Sequence, residues 1–108
     1  MRLPCVTLLA CIAACGPDRE EWWDALARVM CDKKFDCEER ASQTYWGDED
    51  TCAEEILLLV DTSSYEDCTY DRSSAQECLS VWRRVECESP GHQYDDVAYW
   101  CDQVWTCP

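Results

Sequence analysis

The sequence predicts an all-α fold, a small disulfide-stapled bundle of about four short helices that follows a cleaved signal peptide. Apolar residues recur at the spacing of one helix face in four separate segments. Signals for β-structure are weak, because the chain has neither a tight hairpin turn nor a sustained alternation of apolar and polar residues. With 108 residues the chain has room for one small domain, and its 11 cysteines offer cross-links.

The first two helices are each predicted from a capping box followed by an apolar stripe. Asp18 and Glu21 have the spacing at which each side chain accepts a hydrogen bond from the backbone N–H of the other. This helix should end near Lys34, and its stripe is Trp22, Leu26, Val29 and Met30. Thr51 with Glu54 begins the second helix. Its stripe is Cys52, Ile56, Leu59 and Val60.

The last two helices are predicted from residue 73 onward. The third begins with one of two capping boxes, Ser73 with Gln76 or Ser74 with Glu77. Its stripe is Ala75, Cys78, Leu79, Trp82 and Val85. The helix should stop at Ser89-Pro90-Gly91, because proline and glycine interrupt a helix. The fourth begins near Asp95, and its stripe is Val97, Cys101, Val104 and Trp105.

Residues 1–14 are predicted to be a signal peptide. Arg2 is the one charged residue before a mostly apolar run that is too short to cross a membrane as a stable helix. The rest of the chain is polar and acidic, with no second apolar run of spanning length. We therefore expect an exported, mature, cysteine-rich helical domain over residues 15–108.

The end of the signal, Ile12-Ala13-Ala14-Cys15, resembles the lipobox of bacterial lipoproteins. The resemblance implies cleavage before Cys15, lipid on its sulfur and on its new amino group, and the membrane as a partner. Gly16 follows in place of an inner-membrane retention aspartate, which implies the outer membrane, on its periplasmic or surface face. Cys11 is a poorer lipidation site, because bulky Leu9 precedes it. The alternative is an ordinary secretory signal that happens to contain cysteine.

Eight cysteines remain if Cys5 and Cys11 leave with the signal and Cys15 carries lipid. They are Cys31, Cys37, Cys52, Cys68, Cys78, Cys87, Cys101 and Cys107. This even number predicts four disulfides, each worth about 2–4 kcal/mol to a domain with a small core. The same eight remain if cleavage falls after Cys15, so the count supports export more than lipidation.

The cysteine spacing favours disulfides over a metal site. Zinc sites use closely spaced C-x2-C pairs, whereas the closest spacing here is C-x5-C, in CDKKFDC (31–37) and CDQVWTC (101–107). The absence of C-x2-C also argues against a thioredoxin-like redox motif. The single histidine, His92, lies in a predicted loop without a neighbouring cysteine pair. We expect no metal and no cofactor.

The two cysteines of each C-x5-C motif are expected to bond to different neighbours. On a helix they would lie about 9 Å apart along the axis and about 240° around it. A disulfide needs Cα atoms within about 7 Å. An antiparallel hairpin places Cys52 near the end of the first helix, so it should pair with Cys31 or Cys37. By the same argument, Cys87 should pair with Cys101 or Cys107.

The mature chain is strongly acidic. Without Arg2 it has eight basic and 23 acidic residues, a formal charge of −15, which repels phosphate backbones and excludes nucleic acid as a partner. The densest carboxylate cluster is Gly47-Asp48-Glu49-Asp50, followed by Glu54 and Glu55. It lacks the ligand pattern of an EF-hand calcium loop. We interpret it as acidic residues that favour the positive end of a helix dipole.

No pattern of an active site is present, and the chain is not predicted to be an enzyme. It has no G-x-S-x-G, no glycine-rich phosphate loop and no H-E-x-x-H motif. Acidic pairs are so numerous that they give no specific signal for a glycosidase.

Aromatic residues outside the apolar stripes predict a binding patch. The chain has six tryptophans and five tyrosines. Tyr45, Trp46, Tyr99 and Trp100 could together offer a platform for an envelope protein or a glycan. The alternative is that these rings cover the disulfides.

Several segments resemble small, exported, cysteine-rich lipoproteins of the myxobacterial type. The similar segments are Phe35-Asp36-Cys37, Cys68-Thr69-Tyr70-Asp71 with Ala75-Gln76-Glu77-Cys78-Leu79, and Trp105-Thr106-Cys107. The resemblance implies no catalytic or binding residues. The sequence thus predicts a lipid-anchored, acidic module with a structural or interaction role at the cell envelope. The alternative is a soluble, secreted four-disulfide toxin, effector or inhibitor.

Overall fold

A computed structural model describes residues 16–87 and 97–108. The predicted signal peptide 1–14, the predicted lipidation site Cys15, the predicted helix stop at 89–91, His92 and the predicted helix start at Asp95 lie outside the described residues. The described chain is a helical bundle stapled by four disulfides, so the predicted fold class is confirmed.

Helices dominate the described residues. The α-helices are α1 (Trp22–Cys37), α2 (Glu39–Tyr45), α3 (Glu49–Leu58) and α4 (Arg72–Arg84), and residues 97–101 are also helical. Short 3-10 turns span Arg19–Glu21 and Thr62–Tyr65. Two antiparallel strands of two residues each, β1 (Thr69–Tyr70) and β2 (Trp105–Thr106), join the middle of the chain to its end.

The N-terminal capping box is confirmed, but α1 is longer than predicted. The Asp18 N–H donates to Glu21 Oε1 at 3.1 Å as one half of the box. The helix continues to Cys37, because no glycine or proline occurs between Pro17 and Gly47 to stop it. Helix α2 was not predicted, because it has no apolar stripe.

Helices α3 and α4 begin earlier than predicted, because in each case an aspartate is the N-cap. Asp48 Oδ1 accepts from the Thr51 N–H at 2.8 Å and begins α3. Asp71 Oδ1 accepts from the Ser73 and Ser74 N–H groups at 3.1 and 3.5 Å and begins α4. The residues predicted as caps are therefore first-turn donors to a carboxylate, a preferred N-cap group.

Helix α1 separates two buried clusters. One cluster packs α1 against α4 and the C-terminal segment, and consists of Trp22, Val29, Ala75, Cys78, Leu79 and Val104. The other packs α1 against α3, and consists of Ala27, Cys31, Cys52 and Ala53. Leu26 and Met30 of the predicted α1 stripe are half-buried at the edge of the first cluster. A third cluster of Val81, Val85 and Val97 continues the core beyond α4.

The disulfides are Cys31–Cys52, Cys37–Cys87, Cys68–Cys107 and Cys78–Cys101. The predicted pairing of Cys52 with Cys31 or Cys37 is confirmed. The two members of each C-x5-C motif also bond to different partners, as expected.

The predicted pairing of Cys87 with Cys101 or Cys107 is wrong. Cys101 bonds to Cys78 on the buried face of α4. Cys107 follows β2, and the antiparallel register Thr69↔Thr106 places it opposite Cys68. Cys87 instead meets Cys37 at the end of α1, where Lys33 Nζ donates to the Arg83 and Val85 carbonyls at 3.0 and 2.7 Å. These bonds hold the end of α4 beside α1.

Candidate functional site

The four residues of the predicted aromatic patch form two pairs. Tyr45 is 75% exposed and lies edge-on to Trp46, with ring centroids 4.8 Å apart. Tyr99 is 62% exposed and lies edge-on to Trp100, with centroids 5.2 Å apart. Each tryptophan is half-buried against a different core cluster, Trp46 beside Cys31–Cys52 and Trp100 beside Val97. Binding by either pair stays a prediction.

The first pair borders a groove that sequence reasoning missed. This α2–α3 groove has a volume of about 300 Å³, and its lining residues are Tyr45, Trp46, Glu55, Ile56, Leu58 and Leu59. Leu58 and Leu59 are 84% and 85% exposed. Two such exposed leucines beside an exposed tyrosine make an apolar surface of the kind that marks interaction sites.

Leu59 was predicted to lie on the buried stripe of its helix, and that prediction is wrong. Helix α3 ends at Leu58, so the helical spacing that linked Ile56 to Leu59 and Val60 no longer applies. The sequence feature that could have indicated exposed leucines was the run of five apolar residues over 56–60. Such a run cannot turn every side chain to one face of a helix, so some must be exposed.

A rigid turn shapes the groove. Gly47, between α2 and α3, has φ = 89°, a left-handed conformation that glycine adopts without steric cost. Asp48 then caps α3. The Cys31–Cys52 disulfide ties α3 to α1 beneath the groove, and Phe35 packs on Trp46 with ring centroids 6.3 Å apart. The disulfide and the buried residues beneath the groove therefore fix the positions of the helices that form it.

The helices that form the groove are predominantly acidic. Residues 39–59, which span α2, α3 and the turn between them, contain six acidic residues and one basic residue, Arg40. Arg28 of α1 pairs with Asp50 at the start of α3 and lies 3.7 Å from Asp24. Glu49 has its pKa raised, first by desolvation and then by the negative charge of Asp32. Carboxylates thus crowd the α3 side of the molecule.

The carboxylate cluster at the start of α3 is engaged by the protein itself. Asp48 accepts the capping hydrogen bond from Thr51, which lowers its pKa, and Asp50 pairs with Arg28. This agrees with the helix-dipole interpretation. In the described part of the chain, Asp36, Cys37 and Cys87 bring potential metal ligands within 4.8 Å of one another. The two sulfurs are bonded to each other, so they are not free thiolates in this oxidised fold.

Arg19 lines a second groove together with aromatic residues that include Trp23 and Trp105. Its guanidinium carbon lies 4.8 Å from the Trp105 ring centroid, and its N–H groups donate to the Tyr65 and Cys68 carbonyls at 2.7 Å. Trp23 stacks on Trp105 with ring centroids 6.0 Å apart. Trp105 Nε1 is buried without a hydrogen-bond partner among the described residues. This cluster joins the N-terminal turn to the C-terminal strand, so we interpret it as structural.

Across the described ranges, no helix combines the length and the apolar character needed to span a bilayer. No protein-family model matches the sequence, and neither a curated protein nor a solved structure is significantly similar to it.

Proposed function

We propose that the protein is an exported, lipid-anchored, disulfide-stabilised acidic module that binds a partner protein at the cell envelope. The observation that carries the proposal is the closed set of disulfides. The eight cysteines after residue 15 bond with one another in four pairs, as expected of an exported domain. Four structural disulfides are typical of oxidising compartments outside the cytosol.

The folded domain begins directly after the proposed anchor. Gly16 is buried, and a side chain added there would lie 2.8 Å from the Arg72 carbonyl oxygen. Tyr70 Oη donates to the Pro17 carbonyl, and burial raises the pKa of that phenol to about 12. Asp18 pairs with Arg72. Lipid on Cys15 would therefore hold the domain against the membrane surface, without a flexible tether between them.

The α2–α3 groove supports an interaction role over a purely structural one. Two leucines that are each more than four-fifths exposed, beside the exposed Tyr45, place adjoining apolar surface in water, which favours a partner that covers it. Their neighbours are aromatic rings and a carboxylate on a disulfide-tied scaffold, which suits recognition of another molecule.

Lipidation is tested by comparing the exported wild-type protein with two single variants, Cys15→Ser and Cys11→Ser. We expect the wild type and Cys11→Ser to incorporate radiolabelled palmitate and to fractionate with the membrane. Cys15→Ser should do neither. A wild-type protein recovered without lipid, with its N-terminus beyond residue 15, would support the soluble secreted alternative instead.

A further inference from the structure

We propose that the α2–α3 groove binds a basic, amphipathic helical segment of a partner protein. This inference rests on the proposed interaction role and specifies the chemistry of the partner. Exposed helices with one apolar and one charged face commonly bind in grooves by inserting apolar side chains. A groove of about 300 Å³ has room for such anchoring side chains.

The apolar part of the argument rests on Leu58 and Leu59. Both lie where α3 ends and project beside Tyr45, so a partner that covers them removes a continuous apolar surface from water. The turn at Gly47 and the Cys31–Cys52 bond fix this surface before a partner arrives. Binding to such a preformed surface requires little ordering of the protein.

The charge around the groove selects the sign of the partner. Glu55 lines the groove, and residues 39–59, which form α2, α3 and the turn between them, have six carboxylates against one basic side chain, Arg40. A segment with lysine or arginine beside its apolar face meets complementary charge, whereas an acidic one is repelled. The same repulsion disfavours a second copy of this chain, whose formal charge would also be −15, and an anionic lipid surface.

The probe is a fluorescein-labelled, helix-forming peptide with leucine and tryptophan on one face and lysine on the other. A second peptide carries glutamate in place of every lysine. Fluorescence anisotropy measures binding to the exported protein, carried in phosphatidylcholine nanodiscs if it is lipidated and in buffer if it is not. Peptide binding can therefore be measured whether or not the protein is lipidated, so a failure of lipidation does not count as a failure of this inference.

The lysine peptide should bind saturably, and at least tenfold more tightly than the glutamate peptide. Replacing both leucines in a Leu58→Ser/Leu59→Ser variant should weaken it about 100-fold, since each buried leucine contributes about tenfold. Ala98→Ser, a change at an exposed helical residue outside the groove, should leave the affinity unchanged. Glu55→Lys keeps both leucines and should weaken binding and its dependence on salt. Circular dichroism checks that each variant is folded.

Three results would overturn the proposal. Binding that is unaffected by Leu58→Ser/Leu59→Ser would mean that the peptide attaches to the acidic surface in general. Self-association of the protein that those substitutions abolish would make a second copy the occupant. Binding of the protein itself to phosphatidylcholine vesicles without peptide, if Leu58→Ser/Leu59→Ser weakens it, would make the groove a lipid contact.

Discussion

Replacing Cys37 and Cys87 together with alanine is expected to lower the free energy of unfolding by about 4 kcal/mol. This disulfide joins residues 50 positions apart and, of the four, it alone connects the α1–α3 part of the chain to the part that contains α4. A loop of that length gives about 4 kcal/mol of loop-closure entropy at 25 °C. Cys37 is half-buried and Cys87 is exposed, so truncation leaves little cavity.

The matched control is the double replacement of Cys31 and Cys52. Its loop is shorter, with a separation of 21, which corresponds to about 3 kcal/mol of loop-closure entropy. Both side chains are 0% exposed, however, and they pack with Ala27 and Ala53. The cavity that they leave should add about 1–3 kcal/mol. The variant with the shorter loop should therefore be the less stable of the two.

Urea unfolding without reductant, followed by tryptophan fluorescence and circular dichroism, measures both variants with their other three disulfides intact. A loss below about 1 kcal/mol for Cys37→Ala/Cys87→Ala would refute the assignment of its effect to loop closure. If Cys37→Ala/Cys87→Ala lost more free energy of unfolding than Cys31→Ala/Cys52→Ala, the cavity left by the buried pair would not outweigh the difference in loop length.

The remaining predictions concern a turn, a cation and a cap. Gly47→Ala should lower the free energy of unfolding by about 1–2 kcal/mol, because an alanine side chain disfavours φ = 89°, although it would meet no atom within 4 Å. Arg19→Lys should cost about 1–3 kcal/mol, since lysine keeps the charge but cannot reproduce the fork that reaches three carbonyls. Asp71→Ala should cost about 1 kcal/mol at pH 7 through loss of the N-cap. The first two are read from thermal unfolding and the third from urea unfolding at a series of pH values.

The effect of Asp71 has a defined pH dependence. Hydrogen bonds from Ser74 and then Ser73 lower the pKa of its carboxyl in the folded state. Its stabilisation is therefore fully present above the unfolded pKa of about 3.9 and is lost as pH falls through the lower folded value. Wild type and Asp71→Ala should converge in stability below pH about 3.9. A constant difference across that range would contradict the carboxylate as the capping group.

Controls for the other two variants come from the same chain. Ala41→Gly, a new glycine at an exposed position of α2, reports what added backbone freedom alone does. An unchanged melting temperature for Gly47→Ala would mean that the turn has relaxed away from the positive φ. For Arg19→Lys, Arg40→Lys on exposed α2 is the matched change. Equal effects of the two would show that the contacts of Arg19 contribute nothing beyond surface charge.

Helical spacing was sufficient to predict the buried face of α4, because Ala75, Cys78 and Leu79 all face the core. It failed for α2, whose one buried residue is Ser42. This serine hydroxyl donates to the Lys34 carbonyl at 3.1 Å, a contact between two helices that leaves no apolar pattern in the sequence. The N-caps Asp48 and Asp71 show a related limit of sequence reasoning, since several neighbouring side chains are also suitable N-cap residues.

The disulfide partners divide in the same way. Cys52 was placed correctly, because α1 and α3 are close in the chain, with only the short α2 between them, and their packing is a local arrangement. Cys87 was not, because its partner depends on the unpredicted pairing of β1 with β2, which places Cys107 beside Cys68. The α2–α3 groove was half predicted, through Tyr45 and Trp46. Leu58 and Leu59 were missed, because their exposure depends on where α3 ends.

The most direct test of the proposed function is the intact mass of the native exported protein, measured before and after reduction and alkylation. We expect a chain that begins at Cys15 and is heavier by one glyceryl group and three acyl chains. It should be lighter by about 8 Da than its fully reduced form, as four disulfides require. A mass that begins after residue 15 and carries no lipid would contradict the account, and the search for a partner would move to secreted targets.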